Sequence, residues 1–441
     1  MSVPSTASAG SPPVRPRRDS PFTALSHRPF RWWFLSQITS ASGGMTQAVA
    51  TSWLVLQMTG SALDLGVLSA ATVLPSLLIG AWCGALVDRL DRRRVLIATQ
   101  SVLTALGLAL YALIAAHLAA YWSILVLSAG SGLVLALDGP ARQVYVLDLV
   151  GRRRLASAVS LYEVILNTSR VLGPALGGTV LVLFGAAACV LVNALSFLAP
   201  LAVLLLQRPA AATADQRPDA PVVRRGAARA GLRYAWSVPA IRSCLLIAAA
   251  SGILFNSGLL FPLMADRAFH LGGGGYAALV CVFGVGALPG ALLAARGGEP
   301  TGRQVAALAG LTGLCTTATA YAPHPALLYL GMAAVGFSSI WMVARANTFV
   351  QLQAAPGLRG RVMGAWTMAL PGASPITALA VGALAGAAGP RVAFACAGLL
   401  LLAIVTGSWR TLAATPADHR PDSGPYDSPP VDDPAPDTQQ A

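Results

Sequence analysis

No lysine occurs in this chain: all 30 basic side chains are arginine, set against 17 acidic ones. Together with the surplus of alanine and glycine, this points to a GC-rich coding sequence and carries no function. Charge is scarce as well. Charged residues make up 11% of the chain, far below the roughly one quarter of a soluble domain, which excludes an ordinary soluble fold. The six cysteines, Cys83, Cys189, Cys244, Cys281, Cys315 and Cys396, stand singly in or beside apolar runs, with no metal-ligand or redox spacing. They read as small packing residues, and the sequence calls for no metal and no cofactor. No phosphate-binding loop of the G-x-x-x-x-G-K-[ST] type is present, which argues against a nucleotide-driven pump. The formal charge is +13, but the arginines lie in short loops without interleaved aromatics, so no nucleic-acid partner is expected.

What is there is apolar length. Hydrophobic residues make up 55% of the chain and the mean hydropathy is +0.65. Twelve runs approach the ~20 residues that cross a bilayer core: near 30–58, 63–87, 95–116, 121–146, 156–184, 187–206, 242–265, 276–295, 304–322, 325–350, 362–388 and 391–411. The expected class is an all-α membrane protein of twelve transmembrane helices in two pseudo-symmetric six-helix bundles. Residues 1–28 read as a disordered basic tail, 29–207 and 241–411 as the two bundles, 208–240 as a linker with a short interfacial helix, and 412–441 as a disordered tail. Gly84-Ala85-Leu86 recurs 206 residues later as Gly290-Ala291-Leu292, and Ala141-Arg142 recurs 203 residues later as Ala344-Arg345, the offsets a duplicated unit would leave.

Charge sets the expected orientation. Arg92, Arg93 and Arg94, then Arg152, Arg153 and Arg154, then the arginines of the linker all follow even-numbered spans, whereas loops after odd-numbered spans carry only Arg267 and Arg391. The positive-inside rule places both termini in the cytoplasm of a bacterial inner-membrane protein. Between the second and third spans, Asp88 stands at a helix carboxyl end, where the backbone dipole is already negative, so it needs a partner. Arg89, Arg92 or the amino end of another helix could supply it.

Two spans carry buried charge. In the fourth, Asp138 and Arg142 lie one turn apart and can pair, beside a Pro140 that deprives the Ala136 carbonyl of its helical partner. A structural pair and a functional one are both open. In the fifth, Glu163 lies ~12 Å and Arg170 ~22 Å from the helix start, with Asn167 on the same face. Such a stripe faces a cavity or a partner rather than lipid. Pro174 follows, within Gly173-Pro174-Ala175-Leu176-Gly177-Gly178, where a kink and close helix contact are expected. Among the isolated polar residues, Gln37, Asn256 and Asn347 are the first candidates for lining a substrate path.

The loop Gly84, Asp88, Arg89, Arg92, Arg93 resembles that between helices 2 and 3 of the major facilitator superfamily, with Asp91 where the family often has glycine. Gly173, Pro174, Gly177 and Gly178 resemble the helix-5 motif of its antiporter branch, with Ser169 in place of the upstream glycine. Asp138 to Arg142 with Asn167 to Gly178 resemble the enterobactin-exporter and macrolide-efflux subfamily. Members often carry an acid midway along helix 1, where this chain has Gly43 and Gly44, so no coupling role transfers there. The resemblance implies a monomeric secondary transporter in the lipid bilayer that exports an amphipathic small molecule, such as a drug, antibiotic or siderophore, in exchange for protons. It also implies that the Asp88 loop is a conformational latch. Depth makes Glu163 the expected proton-coupling group, Arg170 a charged element of the cavity, and Asp138 with Arg142 a pair held ionised. An importer of a small organic solute is the alternative within the class. A membrane-embedded enzyme acting on a lipid-linked substrate is the alternative outside it; that would need a cluster of acids or histidines at a membrane face, and His117, His270 and His324 lie singly near the expected outer loops.

Overall fold

The computed structural model describes residues 23–87, 89–151, 155–207, 233–255, 258–296, 298–355, 358, 362–366 and 374–414. Among them there is no β-strand. Twelve helices are labelled in chain order: α1 Arg28–Thr59, α2 Ala62–Val87, α3 Arg92–Ala115, α4 Tyr121–Val150, α5 Leu155–Ser196, α6 Leu198–Leu206, α7 Pro239–Phe255, α8 Gly272–Arg296, α9 Gly302–Ala320, α10 Pro325–Gln353, α11 Ser374–Ala388 and α12 Pro390–Ala414. Seven segments within them are long and apolar enough to cross a membrane by length and composition. Large apolar side chains such as Trp82, Leu206 and Ile376 stand exposed on the outside, as a surface facing lipid requires.

Two spans differ from the sequence expectation. The fifth and sixth runs share α5, which turns at Gly185 with φ 80° and ψ 178°, a backbone region that a residue without a β-carbon enters freely. The seventh run is interrupted: α7 ends at Phe255, and the chain resumes as a helical turn, Leu260–Leu263, that widens into a π-helical segment, Met264–Ala268.

The arginines that open α3 and α9, Arg92 to Arg94 and Arg303, mark one end of the helices, called the arginine-rich end. There the repeat is visible in detail. Asp91 accepts the backbone N–H of Arg94 and caps α3, and Thr301 accepts that of Gln304 and caps α9. The aspartate that departs from the family's glycine is thus a helix cap. Arg93 Nε donates to the Leu204 carbonyl at 2.9 Å, and Arg303 Nε donates to the Ala413 carbonyl at 3.3 Å. In each half, an arginine in the first turn of the third helix holds the final carbonyls of the sixth, where a cation also meets the negative end of the helix dipole.

The cores show how the halves meet. At the arginine-rich end there are two: one gathers Phe30, Leu96, Tyr145, Leu161 and Leu204 from the first half alone, the other Ile241, Val305, Phe349 and Leu401 from the second. At the opposite end a single core joins Val49, Leu65 and Leu181 to Phe261, Tyr276 and Phe394. The halves are therefore packed together at the far end and separately cored at the arginine-rich end, and the division between those two cores, among the described residues, is the cleft.

Candidate functional site

The closed end of the cleft is built on small residues, because only they let two helix backbones approach. A β-carbon on Gly178 of α5 would lie 2.6 Å from the Ala277 carbonyl oxygen of α8; one on Gly66 of α2 would lie 2.7 Å from that of Ala378 in α11; one on Gly382 would lie 2.8 Å from that of Ala62. Trp53 stacks on Tyr276 at 5.6 Å, and the Tyr276 hydroxyl donates to the Val49 carbonyl. Near mid-height, Val171 meets Ala287 and Ile340.

Helix α1 lines the cleft. Gly44, Ala48 and Ser52 share one face at helical spacing; Ser52 packs against Gly258 of the other half, whereas Gly44, two turns towards the open end, is exposed and has no atom within 4 Å of where its β-carbon would stand. Gly43 faces the other way. Its β-carbon would collide with the Ser196 hydroxyl and crowd Asn193, which donates to Gln47 at 2.7 Å. A helix-1 acid at Gly43 has no room because the sixth span is packed against it.

A buried polar cluster lies in the first half. Asp138 is 1% exposed. It pairs with Arg142 and accepts from Thr99 Oγ1 at 2.7 Å and Gln100 Nε2 at 2.8 Å. Burying a carboxylate without donors in a membrane span costs about 3 kcal/mol or more, and three donors offset it here. Arg142 also donates to Gln37 Oε1. Gln37, expected to line the substrate path, is instead 1% exposed and serves this cluster, because α1 packs its Gln37 face against α4. Thr99 and Gln100 were not singled out from the sequence; two adjacent polar residues inside the third apolar run were the available signal.

At the arginine-rich end, Arg92 Nη1 bonds both carboxylate oxygens of Asp148, at 3.1 and 3.0 Å. Arg92 is thus engaged by α4. Arg89 is exposed in the turn, and Gly84 has open space where its β-carbon would stand. Asp88 lies outside the described residues, as do Arg152, Arg153, Arg154 and Asn256. The backbone of α5 carries Glu163, Asn167 and Arg170 at the expected spacing, and the side chains of Glu163 and Asn167 lie outside what is described; Arg170 is half-buried. Gly173 and Gly177 press on Met45, Thr46 and Val49 of α1, and Gly178 on α8. These three and Pro174 stay within continuous helix; the residue of α5 with non-helical dihedrals is Gly185. Asn347 accepts from Gln351 at 2.6 Å.

A family profile described as transmembrane secretion effector matches residues 19–437. The multidrug efflux pump Tap of Mycolicibacterium fortuitum is 31% identical over 383 residues, covering 83% of this chain and 92% of that one. The staphyloferrin A transporter of Staphylococcus aureus is 29% identical over 176 residues, covering 40% of this chain and 44% of that one. A bacterial homologue of the human lysosomal transporter Spinster, solved in an inward-facing and unoccupied conformation, superposes with a TM-score of 0.62 at 14% identity, covering 89% of this chain and 96% of that one.

Proposed function

Because the chain belongs to the transmembrane secretion effector family of major facilitator transporters, we propose that it is a proton-coupled exporter of an amphipathic small molecule across the bacterial inner membrane. The observation that carries the reading is the division of the cores: one shared core at one end and two separate ones at the other. A cleft open at one end and closed at the other is one state of an alternating-access cycle in which one half rocks against the other. With the arginines in the cytoplasm, the cleft faces inward and admits a cytosolic substrate. The similarity to a multidrug efflux pump supports export, and the shorter match to a siderophore transporter keeps siderophores within the substrate class.

In this reading Glu163 exchanges the proton. Rocking the halves moves this carboxyl between two surroundings, and the difference between them binds and releases the proton. Asp138 is held by Arg142 and two further donors and serves the packing of the first half. Gly84 and the Asp88 loop close the cytoplasmic end in the opposite state, where the open space beside Gly84 is filled. The test is proton flux on substrate addition in vesicles containing the full-length protein. Glu163→Gln should lose uphill export and proton flux yet keep substrate exchange down a gradient; proton flux at the wild-type level in that variant overturns the assignment.

A further inference from the structure

Helix α10 repeats α4 with one exchange. Arg345 stands at the position of Arg142, and the place of Asp138, one turn earlier, is taken by Trp341. Arg345 is 5% exposed, yet it takes part in none of the ion pairs among the described residues. Its partners are neutral: Nε and Nη2 donate to Gln304 Oε1 at 3.1 and 2.7 Å, and Nη1 donates to the Gly298 carbonyl at 2.6 Å. Glu299, next to Gly298, is exposed and likewise in none of those pairs. The Trp341 indole N–H is buried without a hydrogen-bond partner among the described residues.

A buried guanidinium is ordinarily neutralised by a carboxylate, and its fork carries donors beyond the three used here. In the first half the chain supplies that carboxylate, and Gln100 turns its amide N–H towards it. In the second half the glutamine from the equivalent helix turns its carbonyl towards the cation instead. The second site thus keeps the arginine of the first at the repeated position, with no anion beside it among the described residues and with an indole in place of the carboxylate one turn earlier. Ile340, the residue before Trp341 on α10, meets Val171 of the first half, and Trp341 itself packs against the core of the second half at the arginine-rich end.

We propose that Arg345 and Trp341 bind the carboxylate of an amphipathic organic anion, which takes the place that Asp138 holds in the first half. The Trp341 ring, tilted by 60° against Phe337 with centroids 5.4 Å apart, provides apolar surface for the rest of the molecule. The inference rests on the exporter reading and narrows its substrate class.

The test uses the full-length protein in phosphatidylcholine nanodiscs, with pyrenebutyrate as probe and its uncharged amide as control, read by pyrene anisotropy. A charge-assisted contact predicts that the acid binds about ten-fold tighter than the amide. Arg345→Gln should erase that preference. Trp341→Asp, which rebuilds the internal pair of the first half, should erase it while keeping the melting temperature, and Glu299→Gln should leave it unchanged. Equal binding of acid and amide to the wild type, or a preference that survives both Arg345→Gln and Trp341→Asp, overturns the proposal. Loss of the preference when gluconate in the buffer is replaced by chloride overturns the organic assignment in favour of an inorganic anion. Wild-type vesicles that move no compound against a gradient would refute the exporter reading; export of neutral and cationic compounds without any preference for the acid refutes only this inference.

Discussion

Gly178 and Ala277, from opposite halves of the molecule, are so close that a β-carbon on the glycine would lie 2.6 Å from the alanine carbonyl oxygen. The obstacle is backbone, which cannot rotate aside as a side chain can. Gly178→Val should therefore hold the far end open and depopulate the state described here. Transport should fall by about ten-fold or more at near-normal protein level, and cysteines placed at the arginine-rich end should become less reactive to a bulky maleimide. Unchanged reactivity would show that this contact does not set the conformational balance. Gly44→Ala, where the β-carbon meets nothing, is the control and should transport normally.

The same interface can be locked without bulk. Thr179 Oγ1 and Cys281 Sγ are 3.9 Å apart across the halves, within reach of a disulfide once the threonine is cysteine. Thr179→Cys with the native Cys281 should cross-link on mild oxidation, stop transport, and recover on reduction. A cross-linked protein that still transports would mean that α5 and α8 do not part during the cycle.

Removing the carboxylate from the first half should cost stability more than chemistry. Asp138→Asn leaves Arg142 buried without an anion, a loss of about 3–5 kcal/mol, readable as a lowered melting temperature of the purified protein. Asp138→Asn combined with Arg142→Gln should recover part of it, since the orphaned charge is gone. Proton-coupled export abolished by Asp138→Asn in a protein of normal stability would move the coupling role from Glu163 to Asp138.

Reporter fusions after residues 92 and 225 should both read cytoplasmic. A periplasmic signal from either reverses the orientation and turns the open cleft outward. Asp88→Asn, which keeps shape and removes charge, should lower transport while protein in the membrane stays near normal; full activity would leave Asp88 as a topological marker only.

Much of this was legible from the chain alone. Apolar run length is a local property, so the spans and the loops of arginine between them could be read directly, and Asp138 and Arg142 pair because one helical turn separates them. The repeat was visible at Gly84 and Gly290, and at Arg142 and Arg345, because duplication leaves equal spacing.

Tertiary structure decided what depends on which helix faces which. Gln37 looks like any lone polar residue in an apolar run until α1 is set against α4 and its carbonyl meets Arg142. Gly43 and Gly44 are alike in sequence; packing against the sixth span closes the space beside one, and the cleft opens beside the other. Arg93 and Arg303 read as topological charges, yet each fastens the last turn of a helix more than a hundred residues away. Arg142 and Arg345 share a position in the repeat. Only the assembled fold shows that the first has its anion within the chain, while the second is buried among neutral acceptors, one turn from an indole N–H that has no partner among the described residues, because what neutralises a buried charge is fixed by the neighbours that packing brings to it.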